Sequence, residues 1–174
     1  MSGECTVRLL RRSTRQLGLN KIKAQEDKDR AASKSSEGLE IRVTEGKGRG
    51  IFTTRSFSHK ECIVEYTGEL LAWEAAKVRE EQYDLDPEKF GSFMYFFSFQ
   101  NKKFCIDATE EDNSLGRLVN HSVSGNMKSK LLNIDEKPVL VLYASREIST
   151  GEELLYDYGD RDRKTIELLP WLAQ

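Results

Sequence analysis

Apolar and polar positions alternate over several short stretches of this chain, and one stretch alone has the composition of a long helix. LEIRV (39–43) alternates as a half-buried strand does. TEGKGRG (44–50) then reads as a turn, and IFTTRSF (51–57) resumes in residues that favour strands. CIVEYTGELL (62–71) reads as one further strand reaching a glycine. AWEAAKVREEQYDLD (72–86) is rich in Ala and Glu and predicts a helix that must stop before Pro87. SFMYFFSF (92–99) and KKFCIDAT (102–109) flank Gln100-Asn101, the pattern of a hairpin. SLGRLVNH (114–121) predicts a short helical turn and PVLVLYASREI (138–148) an apolar strand. Ser149-Thr150-Gly151 is a turn ahead of EELLYDYG (152–159), and residues 161–172 predict a short terminal helix interrupted at Pro170. There is no internal repeat. Many short strands with few helices make a mainly β domain.

Composition adds an arm to this domain. The 174 residues are 38% hydrophobic and 32% charged, which suits a globular body with a polar segment. Residues 1–36 carry nine Lys/Arg against four Asp/Glu, a charge of +5, and residues 37–174 carry eighteen against twenty-five, a charge of −7. Residues 1–37 therefore read as a basic arm, helical in part or disordered, and 38–174 as the folded domain. A basic arm can serve DNA contact or nuclear import, but on charge alone it reads first as a solvated charge run. An acidic body can steer a basic partner toward it, or can simply keep a domain soluble.

Several function classes recede. No apolar run approaches the ~18 residues a membrane span needs. MSGECTVRLLRR lacks the apolar block and cleavage site of a secretory signal. Cys5, Cys62 and Cys105 are scattered, and only His59 and His121 could join them, so no structural metal site is expected. Such cysteines suit a reducing compartment. Gly46, Gly48 and Gly50 with Lys47 suggest a phosphate cradle, but they lie between two strand-like runs and open no helix. They read either as a plain turn or as bare backbone that a ligand can approach, with Lys47 and Arg49 ready for its carboxylate.

ELLYDYGD (153–160) places Tyr156 and Tyr158 just before a glycine. The plain reading is an edge strand entering a turn. The sharper one expects two phenol hydroxyls, on opposite faces of one strand end, placed for chemistry.

GKGRGIF (46–52), GRLVNHS (116–122) and GEELLYDYG (151–159) stand in order along the chain. Together they resemble the SET-domain protein lysine methyltransferases, over residues 38 to 174. VEYTGELL, FCIDATEEDNSLGRLVNHS, ASREISTGEELLYDYGDR and the terminal PWL are similar to the branch that monomethylates histone H4 at lysine twenty. That branch has no zinc-binding cysteines after the domain and closes its site with a C-terminal helix. The resemblance implies small β-sheets around a knot-like crossing, where the YDYG segment threads the NHS segment. It also implies S-adenosylmethionine as methyl donor, no metal, a histone H4 tail or nucleosome as partner, a nuclear location and a monomer. The alternatives are a chromatin-binding module that keeps the fold without turnover, or a methyltransferase acting on a non-histone protein.

The resemblance assigns roles residue by residue. Tyr158 matches the catalytic tyrosine, Tyr156 the position that limits the number of methyl groups, and Tyr66 a third tyrosine on the lysine channel. Each could instead be a packed tyrosine with a satisfied hydroxyl. Asn120 and His121 match the pair that meets the cofactor's amino group and adenine, although Asn-His also suits the end of a helix. Lys47, Gly48 and Arg49 match the segment that holds the methionine end. Trp171 is expected over the adenine or the peptide groove, or as an anchor of the terminal helix. Phe93 stands where the related enzyme has a tyrosine that approaches the cofactor, so one hydrogen bond worth about 0.5–1.5 kcal/mol is missing there. Segment 123–137 matches loosely and is expected at the surface near the substrate.

Overall fold

The computed structural model describes residues 37–44, 47–86 and 93–158. The expected N-terminal arm, the terminal helix and Trp171 lie outside the described residues.

Strands β1 (Leu39–Thr44) and β2 (Gly48–Thr53) form an antiparallel pair, with Thr44 opposite Gly48 and Leu39 opposite Thr53. The expected turn over 44–50 is therefore shorter, because Gly48 and Gly50 already belong to β2. CIVEYTGELL also divides. β3 (Cys62–Glu65) joins one sheet and β4 (Glu69–Ala72) another. The chain leaves β3 at Tyr66, whose N–H donates to the carbonyl of Leu140 at 2.9 Å. It passes Gly68, where a Cβ would lie 2.4 Å from the backbone oxygen of Asp107.

β5 (Met94–Phe99) and β6 (Lys102–Asp107) form the expected hairpin, with β4 on the far edge of β6. Its turn holds Gln100 and Asn101 at φ 49° and 63°, the left-handed pair that a two-residue hairpin loop requires. Helix α1 (Trp73–Tyr83) follows β4 directly. Among its residues Ala76 is buried, so no apolar stripe holds the helix in place. Its anchor is polar: Arg79 and the Tyr83 hydroxyl donate to the buried Asp107 carboxylate at 3.1 and 3.0 Å.

The largest sheet has the order β3–β9–β8–β10–β7. β8 (Met127–Ile134) and β9 (Lys137–Ala144) pair along their whole length through a turn at Asp135 and Glu136. Segment 123–137, expected at the surface, is exposed at Val123, Ser124, Lys128, Lys130, Asn133 and 135–137. Most of it is a central strand, with Met127, Leu132 and Ile134 buried. The main core gathers Ile51, Phe57, Met127, Leu142 and Leu154 with Tyr156. Each fully buried apolar side chain contributes about 1.5–3 kcal/mol.

The crossing comes from two strands of two residues each. β10 (Leu155–Tyr156) lies between β7 (Asn120–His121) and β8, parallel to both. Asn120-His121 is therefore a strand, and the short 3₁₀ turn before it covers Gly116–Leu118. Asn126 holds the inserted segment as a strand partner would. Its amide nitrogen donates to the carbonyl of Glu153 at 2.8 Å, and its amide oxygen accepts from the N–H of Leu155 at 2.9 Å. Backbone meets backbone so closely here that a Cβ on Gly125 would sit 2.4 Å from the oxygen of Leu155.

Candidate active site

Four tyrosines meet where β3 ends, β5 passes and β10 emerges from the crossing. The ring centroids of Tyr66 and Tyr95 are 5.7 Å apart, those of Tyr95 and Tyr156 6.5 Å, and those of Tyr156 and Tyr158 4.7 Å. Tyr156 and Tyr158 were expected on opposite faces, and the structure places them together. Residues two apart on an extended segment project to the same side.

Two of these hydroxyls already donate hydrogen bonds to backbone carbonyls. Tyr66 donates to the carbonyl of Phe93 at 3.0 Å, and Tyr158 to that of Val119 at 2.8 Å. Each phenol oxygen therefore presents lone pairs to any further neighbour. Tyr95 shares a hydrogen bond with the Ser129 hydroxyl at 2.8 Å. No hydrogen bond to a described residue commits the Tyr156 hydroxyl.

Burial pushes Tyr66, Tyr156 and Tyr158 above the ordinary phenol pKa of 10.0. The neighbouring phenols add to the effect at Tyr66 and Tyr156, and the Glu153 carboxylate adds to it at Tyr158. All three are neutral hydroxyls at physiological pH.

A second group lies on the other side of Tyr158. His121 is wholly buried, its ring 5.1 Å from that of Tyr158. Its Nδ1 accepts from the backbone N–H of Tyr158 at 3.1 Å, which leaves the ring proton on Nε2. The Lys47 ammonium donates to the carbonyl of His121 at 3.2 Å. Asn120 donates to the carbonyl of Arg49 at 3.3 Å and to Glu153 at 2.9 Å. Arg49 itself pairs with Glu111 at 2.5 Å. Gly48 has φ 72°, where a side chain is strained although open space surrounds it.

Lys47, Gly48, Arg49, Asn120 and His121 thus lie together. Phe93 does not join them. Its ring lies under the Arg117 guanidinium at 4.0 Å, and its carbonyl holds Tyr66, so it belongs to the tyrosine group.

Sequence reasoning missed three residues. Tyr95 could have been found from the period of two in FMYFFSF, which puts Phe93, Tyr95 and Phe97 on the face toward Tyr66. Arg117 is buried, with its Nε donating to the carbonyl of Ala108 at 2.6 Å, and no local pattern marks it. No local pattern marks Glu153 either. Among the described residues, no group of three or more His, Cys, Asp or Glu could hold a metal ion.

The sequence model of the SET domain matches residues 48–159. This chain belongs to the SET-domain family. The SET domain is similar to the N-lysine methyltransferase KMT5A-A of Danio rerio, 52% identical over 136 residues, which is 78% of this chain and 39% of that protein. It is 46% identical to the histone-lysine N-methyltransferase Set8 of Drosophila melanogaster over 137 residues, covering 79% of this chain and 20% of that one. The match thus spans about two fifths of the Danio rerio relative's length and one fifth of the fly protein's. Among solved structures it resembles a SET8 protein from Cryptosporidium, with a TM-score of 0.65, 38% identity, and 71% of this chain and 58% of that one covered. The mainly β architecture of small sheets is the SET fold.

Proposed function

We propose that this chain is an S-adenosylmethionine-dependent protein-lysine methyltransferase that adds one methyl group to lysine twenty of histone H4 in nucleosomes, acting at chromatin in the nucleus. The observation that carries the reading is the row Tyr66–Tyr95–Tyr156–Tyr158, with the hydroxyls of Tyr66 and Tyr158 bonded to backbone carbonyls. The names of the relatives, N-lysine and histone-lysine methyltransferases, point the same way.

The residues around Asn120 fit the methyl donor chemically. Lys47 and Arg49 bring cations for a carboxylate, and the Asn120 amide and nearby carbonyls bring acceptors for an ammonium. When bound, S-adenosylmethionine supplies an electrophilic methyl group on a cationic sulfur.

The protein's own task is to present a neutral amine. A free lysine has a pKa of about 10.4, so near pH 7.4 its neutral form lies about 4 kcal/mol uphill. A dry passage between neutral phenols disfavours the ammonium and lowers that cost. The oxygens of Tyr66 and Tyr158 accept N–H bonds from the amine and fix the direction of its lone pair. The uncommitted Tyr156 hydroxyl holds a water in the space a second methyl would need. The acidic domain attracts the basic H4 tail, and the basic arm contacts nucleosomal DNA.

Incubation with methyl-labelled donor and nucleosomes tests the reading. Label should enter H4, and replacing its lysine twenty by arginine should abolish it. No transfer to any protein overturns the enzyme, and label on another protein alone overturns the substrate.

A further inference from the structure

We propose that Glu153 is the positioning residue that decides which face Asn120 turns toward the methyl donor. The proposal rests on the cofactor reading above. Asn120 Nδ2 donates to two acceptors at once, the carbonyl of Arg49 at 3.3 Å and Glu153 Oε1 at 2.9 Å. Neither has a proton to offer in return. If the amide flipped, its oxygen would face both acceptors and lose both bonds. The pair therefore leaves one orientation, with Nδ2 inward and Oδ1 turned away as an acceptor for an ammonium group.

Glu153 is the stronger of the two partners, because its bond is shorter and charge-assisted. It is also fixed at the backbone. It forms a bridge with Phe52, and its carbonyl accepts from Asn126 at 2.8 Å within the crossing. Space around it is tight, since a Cβ on Gly50 would lie 2.8 Å from both Asn120 Nδ2 and Glu153 Oε1. The threaded segment thus brings one carboxylate to the cofactor side two residues after the turn at Gly151 and three residues before Tyr156.

Calorimetric titration with S-adenosylhomocysteine tests the pair. Asn120→Ala and Glu153→Ala should each weaken binding by about tenfold, and the double variant should bind no worse than Asn120→Ala alone. Glu153→Gln should stay within about threefold of the parent, because its amide oxygen still accepts. Asn120→Asp places two carboxylates together and should weaken binding, and adding Glu153→Gln should restore part of it, the bond to the Arg49 carbonyl staying lost. This rescue reads the contact even if Glu153→Ala does not fold. Additive losses in the double variant, or no rescue, overturn the role of Glu153. Unchanged binding by Asn120→Ala overturns the cofactor reading itself, and the role of Glu153 falls with it.

Discussion

The phenol rings of Tyr156 and Tyr158 lie 4.7 Å apart, centroid to centroid, although only Tyr158 has its hydroxyl bonded to a backbone carbonyl. Two neighbouring phenols with different commitments suit two different tasks. In the proposed reaction one would aim the amine, and the other would shape the space around it.

Tyr158→Phe removes the hydroxyl that donates to Val119. We expect kcat to fall by about a hundredfold, the scale on which misaligned reacting groups lose rate. Stability should fall by only about 1–2 kcal/mol, from a carbonyl left without its donor. Single-turnover rates with saturating donor, set beside denaturant midpoints, check this. A rate loss no larger than the unfolded fraction explains would remove Tyr158 from catalysis.

The crossing depends on glycine at 125 for reasons of space. Its Cβ would meet the Leu155 oxygen at 2.4 Å and the Leu155 carbonyl carbon at 2.7 Å, and backbone within a sheet cannot yield as a flexible side chain can. Gly125→Ala should cost about 2–4 kcal/mol. Gly48→Ala meets open space and carries only the strain of φ 72°, a smaller cost of about 1–2 kcal/mol. Urea midpoints of the two variants give the comparison, and an equal or reversed order would contradict the close approach at the crossing.

The alkaline side of the stability curve should report the buried phenols. In the folded chain Tyr66, Tyr156 and Tyr158 titrate above the ordinary value of 10.0, chiefly because burial disfavours the phenolate. Unfolded, they titrate near 10. Below that pH both states keep the protons and the contribution is constant. Above it the unfolded state releases protons that the folded state retains, so stability falls as pH rises past about 10. Absorbance titration of phenolate should show these three ionising only as the chain unfolds. Smooth ionisation near pH 10 in the folded protein would contradict their burial.

LEIRV and the hairpin at Gln100-Asn101 were legible in the sequence as strands, but the half-burial that alternation implied for LEIRV is absent, since Ile41 and Val43 are exposed. β8 was less legible, because MKSKLLNI alternates imperfectly and carries two lysines. The break inside CIVEYTGELL was hidden because both halves have strand composition, and only the close approach of Gly68 to Asp107 separates them. Tyr66, Tyr156 and Tyr158 were singled out only through motifs read together, VEYTG included, since each tyrosine alone looks like an ordinary packed residue. The pairing of Asn120 with Glu153 could not be read, because it joins residues 33 apart through a parallel contact of two residues. The packing of the Phe93 ring under Arg117 could not be read either, because no local pattern links the two positions.

The phenol row is tested most directly by the mass of the product that Tyr156→Phe makes from an unmodified H4 peptide. With the hydroxyl and its water gone, the account predicts that a dimethylated lysine accumulates, while the parent protein stops at one methyl. Monomethyl product alone from a fully active Tyr156→Phe variant would contradict it.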